Sequence, residues 1–169
     1  CKILICGDSA GGNLALGCTI KVLQLNIRAP DAVILAYPAV LVDFVPSPAR
    51  FVGLFCPILP MGVLARCLLA YGGVNEENLV KHLNKDSISD KNNPDRKQPS
   101  DGCEFDPLLD DSVELCKKAV RSGAKSVNLY VRKGLPHGFL SMASPMTKDC
   151  MRANELYVEE IKRLLQMNI

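Results

Sequence analysis

Tryptophan is absent from the 169 residues, aromatic residues reach only 5%, and 20 Lys and Arg against 18 Asp and Glu leave a formal charge of +2. Without a basic excess there is no electrostatic footprint for nucleic acid. So few aromatics, with no tryptophan, also argue against a surface on which bases would stack. Only two histidines occur, and none of the eight cysteines stands in a C-x-x-C spacing, so neither a structural metal nor a redox pair is expected. No cofactor is implied. The longest uncharged apolar run, Phe51 to Ala65, contains Pro57 and Pro60 and ends at Arg66. It falls short of the roughly 18–20 residues that a bilayer requires, so a buried or surface-docking segment is expected and a transmembrane span is not. No secretory signal is visible, and the chain opens on Cys1 inside an apolar run, with no methionine before it. The chain is therefore expected to be the later part of a longer domain.

What is present is a globular composition, 48% apolar and 22% charged, which excludes a disordered tail. Cys6 lies in the run Ile3-Leu4-Ile5-Cys6, and Cys18, Cys67 and Cys116 fall on helical apolar faces. They read as small buried hydrophobes in a reducing compartment.

Lys2 to Cys6 reads as a buried strand, Gly7 to Gly12 as a sharp turn, and Asn13 to Asn26 as a mostly buried helix. A second buried strand, Ala32 to Tyr37, ends at Pro38. Strand, helix and strand in succession imply a right-handed crossover and a parallel sheet, hence an α/β fold. Residues 44–73 are apolar and broken by prolines, with a helix from Gly62 to Tyr71, and form a candidate cap or pocket segment. Residues 75–102 turn polar and read as a flexible insert. Asp110 or Asp111 can cap a helix that Gly123 stops, and Ser126 to Arg132 alternates as a strand with Val127, Leu129 and Val131 inward. Thr147 to Gln166 is a long amphipathic helix.

Gly7-Asp8-Ser9-Ala10-Gly11 is G-x-S-x-G between a predicted strand and a predicted helix. That setting suits a serine nucleophile at the apex of a tight turn, with the helix N-terminus behind it presenting amides to an oxyanion. A plain glycine-rich turn is the alternative. A serine alcohol needs a base, and the base needs an acid. His82, in Leu79-Val80-Lys81-His82-Leu83, fits a solvated helix face, whereas His137 lies in Gly134-Leu135-Pro136-His137-Gly138-Phe139, a turn directly after a predicted strand. The acid is expected between serine and histidine along the chain. Asp106, Asp110 and Asp111 stand 31, 27 and 26 residues before His137, and spacing alone does not choose among them. Asp106 precedes the helix and is favoured by position; Asp110 and Asp111 suit its first turn, where the helix dipole stabilises carboxylates.

At these residues the chain resembles a known family. Gly-Asp-Ser-Ala-Gly-Gly-Asn-Leu at 7–14, Asp-Pro-Leu-Leu-Asp-Asp-Ser at 106–112 and Leu-Pro-His-Gly-Phe at 135–139 are similar to the hormone-sensitive lipase family of α/β-hydrolases. Arg28-Ala29-Pro30-Asp31 to Tyr37-Pro38-Ala39, and Ser47-Pro48-Ala49-Arg50 through Pro60 to Ala70-Tyr71, resemble its animal members more than its bacterial or plant ones. The resemblance covers roughly residues 1–73 and 103–165. It implies a partial α/β-hydrolase fold with a mostly parallel sheet and the N-terminal strands absent. It also implies a neutral lipase and esterase acting on acylglycerols and sterol esters, cytosolic and recruited to lipid droplets. Nucleophile, acid and base fall on Ser9, Asp106 and His137, and one oxyanion donor on the Ala10 amide. The family's His-Gly-Gly-Gly oxyanion segment has no counterpart here, so the chain alone is expected to be nearly inactive. The family reaches its acid from a buried strand, whereas 95–104 is polar; an internal deletion would account for that. Basic residues precede Ser100 in Lys97-Gln98-Pro99-Ser100, and a solvated loop is the reading for that stretch. The rival from another class is a non-catalytic small-molecule binding module on the same fold, as in plant hormone receptors; retention of both Ser9 and His137 speaks against it.

Overall fold

Among the described residues the sheet has two strands, β1 (Leu4–Asp8) and β2 (Ala32–Ala36), joined by the helix α1 (Ala10–Gln24). They pair in parallel with Leu4 opposite Ala32 and Asp8 opposite Ala36, as strand–helix–strand succession requires. The computed structural model describes residues 1–41, 47–73, 106–124, 126–142 and 148–166. The polar stretch 75–102, His82 and the residues just before Asp106 lie outside the described residues. The first helix begins three residues earlier than its apolar periodicity suggests, because Ala10, Gly11 and Gly12 are already helical directly behind Ser9.

The apolar segment after β2 folds as three short pieces, since its prolines forbid one long helix. These are α2 (Pro48–Val52), a 3-10 turn over Gly53–Phe55, and α3 (Met61–Tyr71). Pro48 opens α2 at a position where its missing N–H costs nothing, and the Ser47 hydroxyl accepts from the Arg50 amide. Next come α4 (Leu109–Arg121), a 3-10 turn over Phe139–Ser141, and α5 (Lys148–Gln166). Among the described residues no helix is long and apolar enough to cross a membrane.

Two apolar clusters hold these pieces. Leu64 and Leu68 of α3 pack with Leu108, with Ala39, Leu59 and Met61 around them. Leu135 packs with Cys150 and Ala153 of α5, flanked by Phe139 and Met142. The α5 helix also reaches the segment leading into β1, where Lys2 Nζ donates to the Leu164 carbonyl at 3.1 Å.

Three expectations are corrected. Residues 126–132 pair with no strand among the described residues, and Leu129 and Val131 face outward rather than in. A strand requires a partner's N–H and C=O groups, and alternation alone does not supply them. The α1 helix is less buried than its composition suggests, with Leu14, Ile20 and Leu23 exposed and only Gly12 and Ala15 buried. Cys6, Cys18 and Cys67 are likewise exposed and Cys116 half-buried, while among the described residues Cys56 and Cys150 are the buried thiols. A two-stranded sheet has too little face to cover every apolar side chain around it.

Candidate active site

Ser9 stands between the C-terminal end of β1 and the first turn of α1, with φ 50° and ψ −121°. A residue with a side chain adopts that backbone only where its surroundings impose it. The Ser9 N–H donates to the Ala36 carbonyl of β2 at 3.0 Å. Its own carbonyl accepts from the amides of Gly12 (3.0 Å), Asn13 (3.3 Å) and Ala39 (3.2 Å). The glycines supply room for this. A Cβ at Gly7 would overlap the Gly11 carbonyl, and one at Gly12 would lie 2.7 Å from the Pro38 Cβ. Gly11, the last glycine of G-x-S-x-G, meets nothing closer than Asp8 Oδ1 at 3.7 Å. The tightness thus falls on Gly7 and Gly12. Ala10 opens α1, where a first-turn amide has no acceptor within its helix and points toward the serine end.

The structure brings the three distant side chains together. Ser9 Oγ lies 2.9 Å from His137 Nε2, and His137 Nδ1 lies 3.1 Å from Asp106 Oδ1. His137 and Asp106 are each 6% exposed. A carboxylate accepts the proton on Nδ1, which leaves Nε2 as the lone-pair nitrogen facing the hydroxyl. The same Asp106 Oδ1 accepts from the Leu108 amide at 2.8 Å. Such a line of donors and acceptors can draw the hydroxyl proton from Ser9 and stabilise the imidazolium that results. Among the described residues, no group of three or more His, Cys, Asp or Glu side chains is arranged to hold a metal ion.

Asp110 and Asp111 sit in the first turn of α4, as the sequence suggests, yet neither caps it; Leu108 occupies the cap position without a side-chain bond. Their carboxylates turn to other segments instead. Asp110 Oδ2 accepts from the Ala49 amide at 3.1 Å, and Asp111 Oδ2 accepts from Val40 and Leu41 at 3.0 and 2.8 Å. Arg50 Nη2 lies 3.4 Å from Asp111 Oδ1 and donates to the Leu41 carbonyl at 2.8 Å, with both side chains almost wholly buried. Burial pushes the Asp111 carboxyl upward, opposed by the Leu41 amide, Arg50 and the Val40 amide. This network ties α2 to the turn that carries Asp106. Its signal in the sequence was slight: Arg50 is the one charged residue between Asp43 and Arg66.

A family model described as the α/β-hydrolase fold matches residues 1–141. The chain belongs to that family. Among curated proteins, this α/β-hydrolase chain is 39% identical over 85 residues to the hormone-sensitive lipases of Ictidomys tridecemlineatus and Homo sapiens, and 38% identical over 77 residues to that of Mus musculus. Each match takes in about half of this chain (50%, 50% and 46%) but only 11%, 8% and 10% of the respective relative. Solved structures carry the likeness over nearly the whole chain. An esterase of Pyrobaculum calidifontis superposes with a TM-score of 0.70 at 24% identity, covering 98% of this chain and 53% of its own. The structure of DphMB1 does so with 0.70 at 20%, covering 96% and 53%. At such identities these neighbours speak to the fold.

Proposed function

We propose that the protein is a serine carboxyl-ester hydrolase. Ser9 Oγ attacks the ester carbonyl while His137 Nε2 takes its proton, and His137 then returns that proton to the departing alcohol. Water, deprotonated by the same nitrogen, frees the acid from Ser9 and restores the hydroxyl. Asp106 holds the Nδ1–H tautomer and stabilises the imidazolium, and the Ala10 amide donates to the oxyanion. The observation that carries this reading is the 2.9 Å approach of Ser9 Oγ to a buried imidazole that is itself held by a carboxylate. A binding module has no need of an aligned base.

Within that reading the substrates are acylglycerols and sterol esters, and the working site is the cytosol and the lipid-droplet surface. The likeness to hormone-sensitive lipases supports this. So does the apolar surface of residues 47–73, where Phe51, Leu54, Phe55 and Tyr71 are exposed. That segment serves as cap or acyl pocket, and Gly138, beside the base, stands within 4.0 Å of Ile58 at the position a Cβ would take. Residues 1–169 by themselves are expected to turn over esters poorly. An oxyanion hole short of one donor loses about 10²–10³ in kcat, and Ala10 is one donor.

The test is labelling with a fluorophosphonate probe in the longest native form of the protein. Label on wild type and none on Ser9→Ala is the expected result. Equal labelling of both would remove the assignment, and no labelling of either would favour the binding module.

A further inference from the structure

Tyr37 belongs to none of the three catalytic positions, yet it touches the neighbourhood of two of them. It follows β2 directly and is 7% exposed, with φ 36°, in the left-handed region that aromatic residues rarely enter. That backbone turns the ring away from the line of the strand and beneath the histidine turn. The ring meets the His137 imidazole with centroids 4.8 Å apart and planes at 64°, and meets Phe139 at 5.0 Å and 73°. Its hydroxyl accepts from the Leu140 amide at 3.3 Å and donates to Asp8 Oδ2 at 3.4 Å. Both bonds are long, but they leave in opposite directions along the chain: one to the residue before the serine, one to the turn after the histidine. Burial raises the phenol well above its ordinary range, so the proton it donates to Asp8 stays in place.

We propose that Tyr37 is a positioning residue: a brace between Asp8 and the 137–140 turn that sets the approach of His137 Nε2 to Ser9 Oγ. The proposal rests on the hydrolase reading above. Tyr37 itself touches no reacting atom and acts through His137. Two features separate a brace from a space-filling side chain. The backbone is held in an unfavourable conformation to aim this side chain, and the hydroxyl spends both its donor and its acceptor on the two segments that have to be kept in register.

The experiment follows Ser9 labelling by a fluorophosphonate in the longest native form, resolving kinact from KI, beside the NMR signal of the His137 ring N–H. Tyr37→Phe keeps the ring and removes the brace. Its kinact should fall about tenfold while KI stays within about twofold, since misplacement of a catalytic group slows chemistry before it weakens binding. The ring N–H signal should broaden or shift. Asp8→Ala cuts the far anchor at an exposed side chain, so it is the variant that keeps the test alive if Tyr37→Phe folds poorly. It should slow kinact less, and in the double variant its effect should largely vanish, because both changes cut one connection. A Tyr37→Phe kinact within about twofold of wild type would overturn the proposal, as would multiplicative effects of the two substitutions. If Tyr37→Phe does not fold, an unchanged kinact in Asp8→Ala overturns it. Failure of the wild type to label, or labelling of Ser9→Ala, removes the hydrolase reading and this proposal with it; a labelled wild type with an unmoved Tyr37→Phe removes only the brace.

Discussion

Ser9 and the Asp106–His137 pair are held by different physics. Around Ser9 the fixing is done by main chain: a strained φ, one amide given to β2, three amides received on one carbonyl, and two glycines without room for a Cβ. Around the acid and base it is done by side chains: a buried ion pair, carboxylates that collect amides from other segments, and two small apolar clusters. The first kind is compact and is written in residues 7–13 and the one short segment, 36–39, that they bond and pack against. The second is distributed, and Arg50 and Asp111 are 61 residues apart. A local device resists distant change and fails abruptly when its own residues change. A distributed one erodes from many places.

The largest effect should come from the distributed side. Asp111→Ala removes the carboxylate facing Arg50 and the acceptor of two amides, and breaking a buried pair of this kind costs about 3–5 kcal/mol. Chemical denaturation should show that loss, and folded material should label more slowly at Ser9 because the turn bearing Asp106 has lost its ties to Val40, Leu41 and Arg50. A stability change near zero would mean that the network is not what holds the acid. Gly7→Ala breaks the local side. Its Cβ overlaps the Gly11 carbonyl, and overpacking of this sort costs about 1–3 kcal/mol. Here labelling should fall far more than stability does, the opposite proportion to Asp111→Ala. Gly11→Ala is the control, with ordinary contact distances in place of overlap.

The smallest effect sharpens the comparison at the edge of the sheet. Asp31 accepts from the Ile3 amide at 2.7 Å with Arg28 beside it, and that bond holds its carboxyl below the usual range. A carboxylate depressed in the folded state stabilises at pH values above its unfolded pKa of about 4, and the gain is lost as pH falls through the lower folded value. Asp31→Asn should therefore lower the unfolding midpoint slightly at neutral pH, and the difference should shrink as the pH is taken below about 4. Ser9 labelling should be unmoved. A drop in labelling would tie the serine turn to the far end of β1, which its local bonding does not require.

How much of this the sequence made legible follows the same division. The strand–turn–helix around Ser9 could be read because its cues are contiguous: an apolar run, small residues, then helical periodicity. The sheet direction followed from element order alone. Asp106 and His137 are not paired by spacing, since Asp110 and Asp111 are comparably near in the chain; position before the helix favours Asp106, and the fold brings that acid to the imidazole while the other two meet backbone amides elsewhere. The 126–132 alternation misled because period-2 patterning reports which side chains could share a face, not whether a partner strand is present. The exposed cysteines differ from expectation for the same reason: an apolar neighbourhood in sequence is not one in space. Tyr37 was visible only as the end of a strand, because nothing local announces a side chain that bridges residues 8 and 140.

Asp106 offers one oxygen to two donors. Because Oδ1 receives both the His137 ring N–H and the Leu108 amide, the atom presented to the imidazole is selected by the main chain of its own turn. An asparagine amide placed there would be sorted by the same Leu108 N–H: its oxygen would be kept on that side and its nitrogen would take the Oδ2 position. The histidine would then still meet an acceptor and keep its tautomer, with only the negative charge gone. Orientation and charge, which a carboxylate ordinarily delivers as one, are here separable contributions, and the separation is built into a single backbone amide.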